Sequence, residues 1–280
     1  MPETETEASG VTNPVLLEQE GKVARLVLNR PEVLNAIDGG VIDGLHAALG
    51  VLEQGWDVTA VAVSGSGRAF CAGADVTMMD GHPARHAMSG DQLAEARDAA
   101  RRFMKNAFAI APRLVDLPQA TIAAVKGPVV GAGIALALAC DFRIAAEDAV
   151  FVPGFTQLAL PGDWGVSCLL REKAGDGAAR RLLIAGERIE ALEALRLGLV
   201  DQVVPVDELD SVVAARLAAL SQRSLTAVRA SKALLRPRGL ESALEQETEA
   251  TLACQESEAH SVALQAFLEA RTARAARRPR

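Results

Sequence analysis

The chain has no tyrosine and only 3% aromatic residues in 280, so it lacks the rings on which unpaired bases stack. It has no excess of positive charge either. The formal net charge is −7, which argues against wholesale nucleic-acid binding; an anionic ligand has to be met by local Arg or Lys, not by the overall field. No stretch reaches the ~20 continuous apolar residues of a membrane helix. The four cysteines, Cys71, Cys140, Cys168 and Cys254, form no CxxC pair and have no metal-ligand spacing. They read as reduced thiols, with Cys140 plain core, and no metal is expected. Met1 to Gly10 is acidic and polar, unlike a signal or transit peptide. These features together point to the cytoplasm. There is no GxSxG elbow. Gly65-Ser66-Gly67-Arg68 lacks the GK[ST] of a phosphate loop, and Gly131-Ala132-Gly133 lacks the third glycine and the later acid of a dinucleotide fingerprint.

Half of the residues are apolar, enough for a sizeable core. Residues 1–13 read as a disordered tail and 14–205 as the core. Val15–Glu18 and Val23–Leu28 make a hairpin about Glu20-Gly21. Ile42, Leu45, Leu49 and Leu52 recur at helical spacing, and Val58–Val63 is a buried strand. Thr77 to Gly90, with Asp80, His82 and His86, has no period and reads as a mobile loop or lid; the two histidines have Pro83 between them and no third ligand. Asp91–Ala111 is an amphipathic helix that Pro112 is expected to end. Thr121–Val125 is a strand, and Asp141–Ala145 with Val150–Val152 is expected to form a strand pair. Helices follow near 164–172, 176–185 and 190–196. From 206 to 280 the chain is almost all helix formers, with amphipathic runs at 207–221, 224–235, 240–257 and 259–273. Such a tail has to pack on the core or on a neighbouring subunit. It ends in a basic cluster (Arg271, Arg274, Arg277, Arg278, Arg280) that reads as solvated.

Two stretches stand out. In Ser64-Gly65-Ser66-Gly67-Arg68-Ala69-Phe70-Cys71-Ala72-Gly73-Ala74-Asp75 a strand runs into a bend of small residues that let the backbone come close to a ligand. In Gly127-Pro128-Val129-Val130-Gly131-Ala132-Gly133-Ile134-Ala135 a strand runs into a glycine pair and an apolar helix, whose first N–H groups lack internal partners. One donor from each, aimed at a common point, makes a pocket for a developing oxyanion. A single donor of this kind is typically worth about 2.7–4 kcal/mol of transition-state stabilisation.

Both stretches and their order resemble the crotonase (enoyl-CoA hydratase/isomerase) superfamily. Leu26–Ala36, the run Leu182–Ile189 followed by Ala194–Asp201, and the pair Ser257–His260 and Ala266–Arg271 are similar to further signatures of that family. The resemblance spans roughly Val15 to Arg271. It implies an α/β fold, a spiral of ββα repeats with a C-terminal helical trimerisation region. It also implies a homotrimer, often paired into a hexamer, and an acyl-CoA thioester substrate with CoA as part of it and no other cofactor. By the same resemblance the oxyanion donors are the N–H groups of Ala74 and Ala132. The family has glycine where Ala132 stands, so an unusual φ there would be strained. CoA contacts fall on Arg30, on Arg68 near the 3′-phosphate, and on the main chain at Ala72, Asp75 and Val76.

The family's hydratases hold a water between two glutamates, and the matching positions here are Ala135 and Gly154. Neither side chain titrates. The nearest carboxylate is Asp163, in Leu160-Pro161-Gly162-Asp163-Trp164-Gly165. It resembles, about one position later, the one with which isomerase members move a proton along an acyl chain. Beside Trp164 it is expected to be partly desolvated, which raises its pKa. It also stands where Asp caps helices. Met79, Phe155 and Trp164 are expected to line the acyl pocket. An isomerase-type enzyme is therefore the leading expectation, with a hydratase using other acids or a non-catalytic acyl-CoA binder as alternatives.

Overall fold

A computed structural model describes residues 13–54, 57–79 and 84–276. Strands β1 (Val15–Glu20) and β2 (Val23–Leu28) form the expected antiparallel hairpin. Helix α1 (Gly39–Glu53) starts where the Asp38 carboxylate accepts the Val41 N–H at 2.9 Å and buries Ile42, Leu45, Leu49 and Leu52. Strand β3 (Ala60–Gly65) then lies parallel to β2. After it come α2 (Gly90–Phe108), α3 (Ile110–Asp116), β4 (Ala120–Val125), β5 (Pro128–Val130) and α4 (Ala132–Ala139). The chain continues through β6 (Phe142–Ala146), β7 (Val150–Val152), α5 (Val166–Leu183), β8 (Ile189–Glu190), α6 (Ala191–Arg196) and β9 (Gln202–Val204). It closes with α7 (Leu209–Ser221), α8 (Leu225–Leu235), α9 (Leu240–Gln255) and α10 (Glu258–Ala276).

One sheet runs β1-β2-β3-β4-β6-β9 and a second runs β5-β7-β8. The sequence suggested that β6 and β7 pair with each other, and they do not. β6 lies parallel to β4 in the large sheet, whereas β7 is drawn to β5 in the small one. Every residue of β4 is buried, as befits a parallel strand covered on both faces. All eight residues of α4 are buried too, because a helix apolar all round belongs inside.

The helix expected to end at Ala111 breaks earlier, between Phe108 and Ile110. Pro112 sits in the first turn of α3, where a missing N–H loses nothing. Its ring excludes the carbonyl four residues back, so the break falls ahead of the proline. Helix α7 covers the large sheet, packing Leu209, Val213 and Leu217 over Ala62, Ile122 and Ile144. α9 packs on α2 and α5, and α10 on the turn at 156–158. All of these contacts are made within the one chain.

Candidate active site

The two bends are stitched side by side. Cys71 and Val129 form a parallel bridge: the Cys71 N–H donates to Pro128 O at 3.3 Å and the Val130 N–H to Cys71 O at 2.9 Å. Ala74 and Ala132 each lie three residues beyond that bridge. Ile37 takes the carbonyl of Gly73 and the N–H of Asp75, both at 2.8 Å, so the Ala74 N–H points the opposite way, as in any parallel pairing. Among the described residues neither the Ala74 nor the Ala132 N–H donates to any protein group. A methyl group built on Gly73 would lie 2.8 Å from Val130 O and 3.8 Å from the Ala132 nitrogen, which measures how closely the bends approach. The unusual backbone falls on Gly131 (φ 50, ψ −117) and not on Ala132, which opens α4 with helical geometry. Gly133 is bare for a different reason: a Cβ there would meet Cys71 Cβ at 2.8 Å. The Cys71 thiol is sealed, and burial pushes it up to about 12, far from a nucleophile's range.

Sequence reading assigned no role to the residue that holds the first bend. Asn35, fully buried, donates its amide to Ser66 O and Ala69 O, both at 2.9 Å, while its Oδ1 accepts the Arg30 N–H at 2.9 Å. Its φ of 58 is the signal available in hindsight, since asparagine tolerates that region better than most residues.

Asp163 sits on the turn before α5 with no cap role. The amides of Gly165 and Ser167 donate instead to Glu247 of α9, at 2.6 and 2.9 Å. Among the described residues the buried Oδ1 of Asp163 has no partner at all. Burial, followed by the nearby Glu247 charge, pushes the Asp163 carboxyl up to about 8. Burial also raises Glu247, and the Ser167 hydroxyl, then the Ser167 and Gly165 amides, oppose the rise. Trp164 holds a left-handed φ of 59, a strained value for a bulky residue, and its ring meets Phe108 with centroids 6.4 Å apart.

Asp163, Trp164 and Ala74 share the wall of a cavity of about 1130 Å³, with Met78, Met79 and Phe103 among its apolar lining. Phe155 does not line it; its ring packs near Gly131 and Gly162. The position matched to Ala135 is fully buried inside α4, and Gly154 holds φ 73, so no carboxylate stands at either. His86 Nδ1 lies 2.9 Å from Ser261 Oγ. Asp80 and His82 fall outside the described residues, as do Arg277, Arg278 and Arg280.

On the other side of the first bend Arg68 is exposed and makes no ion pair among the described residues. Arg30 is engaged, donating to Ala36 O at 2.7 Å and lying 3.1 Å from Asp38 and 3.4 Å from Asp75. Burial works against the Asp75 charge, but the Thr77 hydroxyl and amide, Arg30 and Arg271 outweigh it and hold this carboxyl below its usual range. The N–H of Ala72 donates to Leu34 O and that of Asp75 to Ile37 O, whereas the Val76 N–H has no partner among the described residues.

A sequence model of the enoyl-CoA hydratase/isomerase family matches residues 18–276. The chain is 33% identical to the short-chain-enoyl-CoA hydratase of Clostridium acetobutylicum over 92% of its own length and 96% of that protein's. It is 31% identical to a peroxisomal Delta(3,5)-Delta(2,4)-dienoyl-CoA isomerase of Arabidopsis thaliana over 77% of this chain and 78% of that one. Among solved structures, an enoyl-CoA hydratase/isomerase from Xanthobacter autotrophicus aligns with TM-score 0.80 and 31% identity, covering 93% of this chain and 98% of that one.

Proposed function

The chain belongs to the enoyl-CoA hydratase/isomerase family, the crotonase superfamily, and from that premise we propose that it is an enoyl-CoA isomerase-type enzyme that shifts a proton along a bound acyl chain. The thioester carbonyl accepts the N–H groups of Ala74 and Ala132, neither of which has a protein partner among the described residues. The acyl chain occupies the cavity beside Asp163. The ionised Asp163 carboxylate takes a proton from the carbon next to the thioester of a 3-enoyl-CoA. The electron pair spreads onto the carbonyl oxygen, where the two amides stabilise it. The same carboxyl returns the proton two carbons further out, giving the conjugated 2-enoyl thioester. Nothing is oxidised or reduced, so the step needs no metal or redox group; CoA enters as part of the substrate. Exposed Arg68, the Val76 N–H and the Ala72 carbonyl are offered to CoA, while the Ala72 and Asp75 N–H groups are held by the bend itself, with Arg30 setting the bend through Asp38 and Asp75.

The observation that supports this reading most is Asp163 itself: a carboxyl on the cavity wall, one oxygen unbonded, lifted to about 8 while the two hydratase positions are Ala135 and Gly154. A pKa near the working pH suits a group that must both accept and return a proton. The likeness to a short-chain-enoyl-CoA hydratase over nearly the whole chain favours hydration as the second reading. Offering the purified protein 3-hexenoyl-CoA and crotonyl-CoA separates them. The isomerase reading expects conjugated thioester to appear from the first substrate and to vanish in Asp163→Asn. Loss of the crotonyl-CoA absorbance with no action on 3-hexenoyl-CoA supports hydration instead.

A further inference from the structure

Glu247 is a carboxylate in an unusual place. Helix α9 turns an inward stripe to the core at Leu240, Leu244, Glu247, Thr251 and Leu252, and only this position bears an acidic group. It is 6% exposed. Among the described residues no arginine or lysine forms an ion pair with it. Arg97 and Arg101 of the facing helix α2 are spent on Glu249 and Glu256. On α5, Arg171 is paired with Asp176. An unpaired buried carboxylate is costly, so what it holds is informative. Both its oxygens accept N–H bonds, the pattern of the ionised form, from Gly165 just ahead of α5 and from Ser167 in its first turn. A helix N-terminus stabilises such an anion.

The consequence concerns the turn that leads into that helix. Gly162, Trp164 and Gly165 all sit at positive φ, of 130, 59 and 80. A turn of this kind persists only when its surroundings over-determine it. Glu247 fastens its far end, and α9 lies so close that a Cβ on Gly165 would meet Leu240 Cδ1 at 2.7 Å. With the Gly165 and Ser167 amides already capped from α9, Asp163 has nothing to cap, and among the described residues its Oδ1 stays unbonded.

We propose that Glu247 is the positioning residue of this site: it caps α5 in place of Asp163 and pins the 163–165 turn, so that the Asp163 carboxyl is left free at the acyl cavity. The proposal rests on the reading of Asp163 as the proton carrier. Glu247 also acts on Asp163 through its charge. The other ionisable groups around the cavity are Arg85, ahead of α2, and His260 and Glu269 on α10. Among the described residues Glu247 is the charged group that raises Asp163, after burial itself.

The test combines two readouts on full-length protein. Carboxyl ¹³C titration of aspartate-labelled protein, with Asp163→Asn assigning the signal, reads the Asp163 pKa whether or not the enzyme turns over. In Glu247→Gln that pKa should fall by about one unit or more, because the neighbouring anion is gone. In turnover of 3-hexenoyl-CoA, kcat should fall about tenfold or more while KM stays near wild type, and the inflection of kcat with pH should move to lower pH by the same amount. An unmoved Asp163 titration together with wild-type kcat overturns the proposal, even if thermal stability drops. Full activity in Asp163→Asn overturns the reading beneath it instead, and the titration then still decides whether Glu247 controls Asp163. If Glu247→Gln fails to fold, Glu247→Asp keeps the charge at a shorter reach. A lowered kcat at unchanged KM supports the pinning role there, and an unchanged kcat overturns it.

Discussion

Burial and the neighbouring Glu247 charge lift the Asp163 carboxyl to about 8, against 3.8 for the free group. This bears on stability as well as on turnover. The folded protein holds the Asp163 proton more tightly than the unfolded chain does. The associated stability is therefore fully present below about pH 4, and it is lost as the pH rises toward 8. Thermal melts should show wild type losing ground to Asp163→Asn over that window, with the gap constant above it. A gap independent of pH would mean that the carboxyl titrates normally. Asn35 makes a second prediction at this scale. Asn35→Leu strips the bend of the amide that satisfies Ser66 O and Ala69 O. Leaving buried carbonyls unpaired costs about 1–3 kcal/mol, which urea unfolding should register as a lowered midpoint. Asp163 was legible in sequence as a lone carboxylate on a glycine-rich turn. Whether it capped α5 was not, because the true cap, Glu247, lies more than 80 residues on in an ordinary amphipathic helix and meets the turn only after folding.

At the scale of elements, the bend after β3 and the start of α4 make sense only as a pair. Replacing Ala132 by proline removes its N–H at a first helical position, which proline suits well. The expected result is a loss of about 10²–10³ in kcat with a melting temperature close to wild type; undiminished kcat would remove Ala132 from the site. Gly133→Ala should act by overpacking, since its Cβ meets Cys71, at about 1–3 kcal/mol of stability. Composition and spacing located the helices from α7 to α10 to within about three residues at each end, because this stretch is almost all helix formers with short breaks between the runs. They could not pair the strands. β6 and β7 lie four residues apart in sequence and yet join different sheets, a choice made by where β4 and β5 already stand. The break at Ala109 was missed for a local reason: a proline acts on the carbonyl four residues before it.

The whole molecule leaves two large leucines of α8 in the open, Leu234 at 87% and Leu235 at 77% exposure. Contiguous exposed apolar surface marks contact sites when it is extensive, and this pair is where α8 offers it. The resemblance to crotonases predicts a trimer. Analytical ultracentrifugation should therefore give three, or six, times the 29.3 kDa chain mass. The double change Leu234→Glu with Leu235→Glu should lower it, whereas an unchanged mass would place the interface elsewhere. Overall architecture was the most legible level of all, because the order of five short motifs fixed it where composition alone could not. The acyl group was the least legible: the cavity joins α2, the 160–164 turn and α10, which are far apart in the chain.

The account depends on a thioester enolate formed at this site by Asp163. The most direct measurement is exchange: incubate butyryl-CoA, which cannot isomerise or hydrate, with the protein in D₂O and follow deuterium at the carbon beside the thioester by mass spectrometry. Wild type should wash deuterium into that carbon, and Asp163→Asn, folded and binding CoA as wild type does, should not. Exchange that persists in Asp163→Asn, or that wild type never shows, would contradict the account.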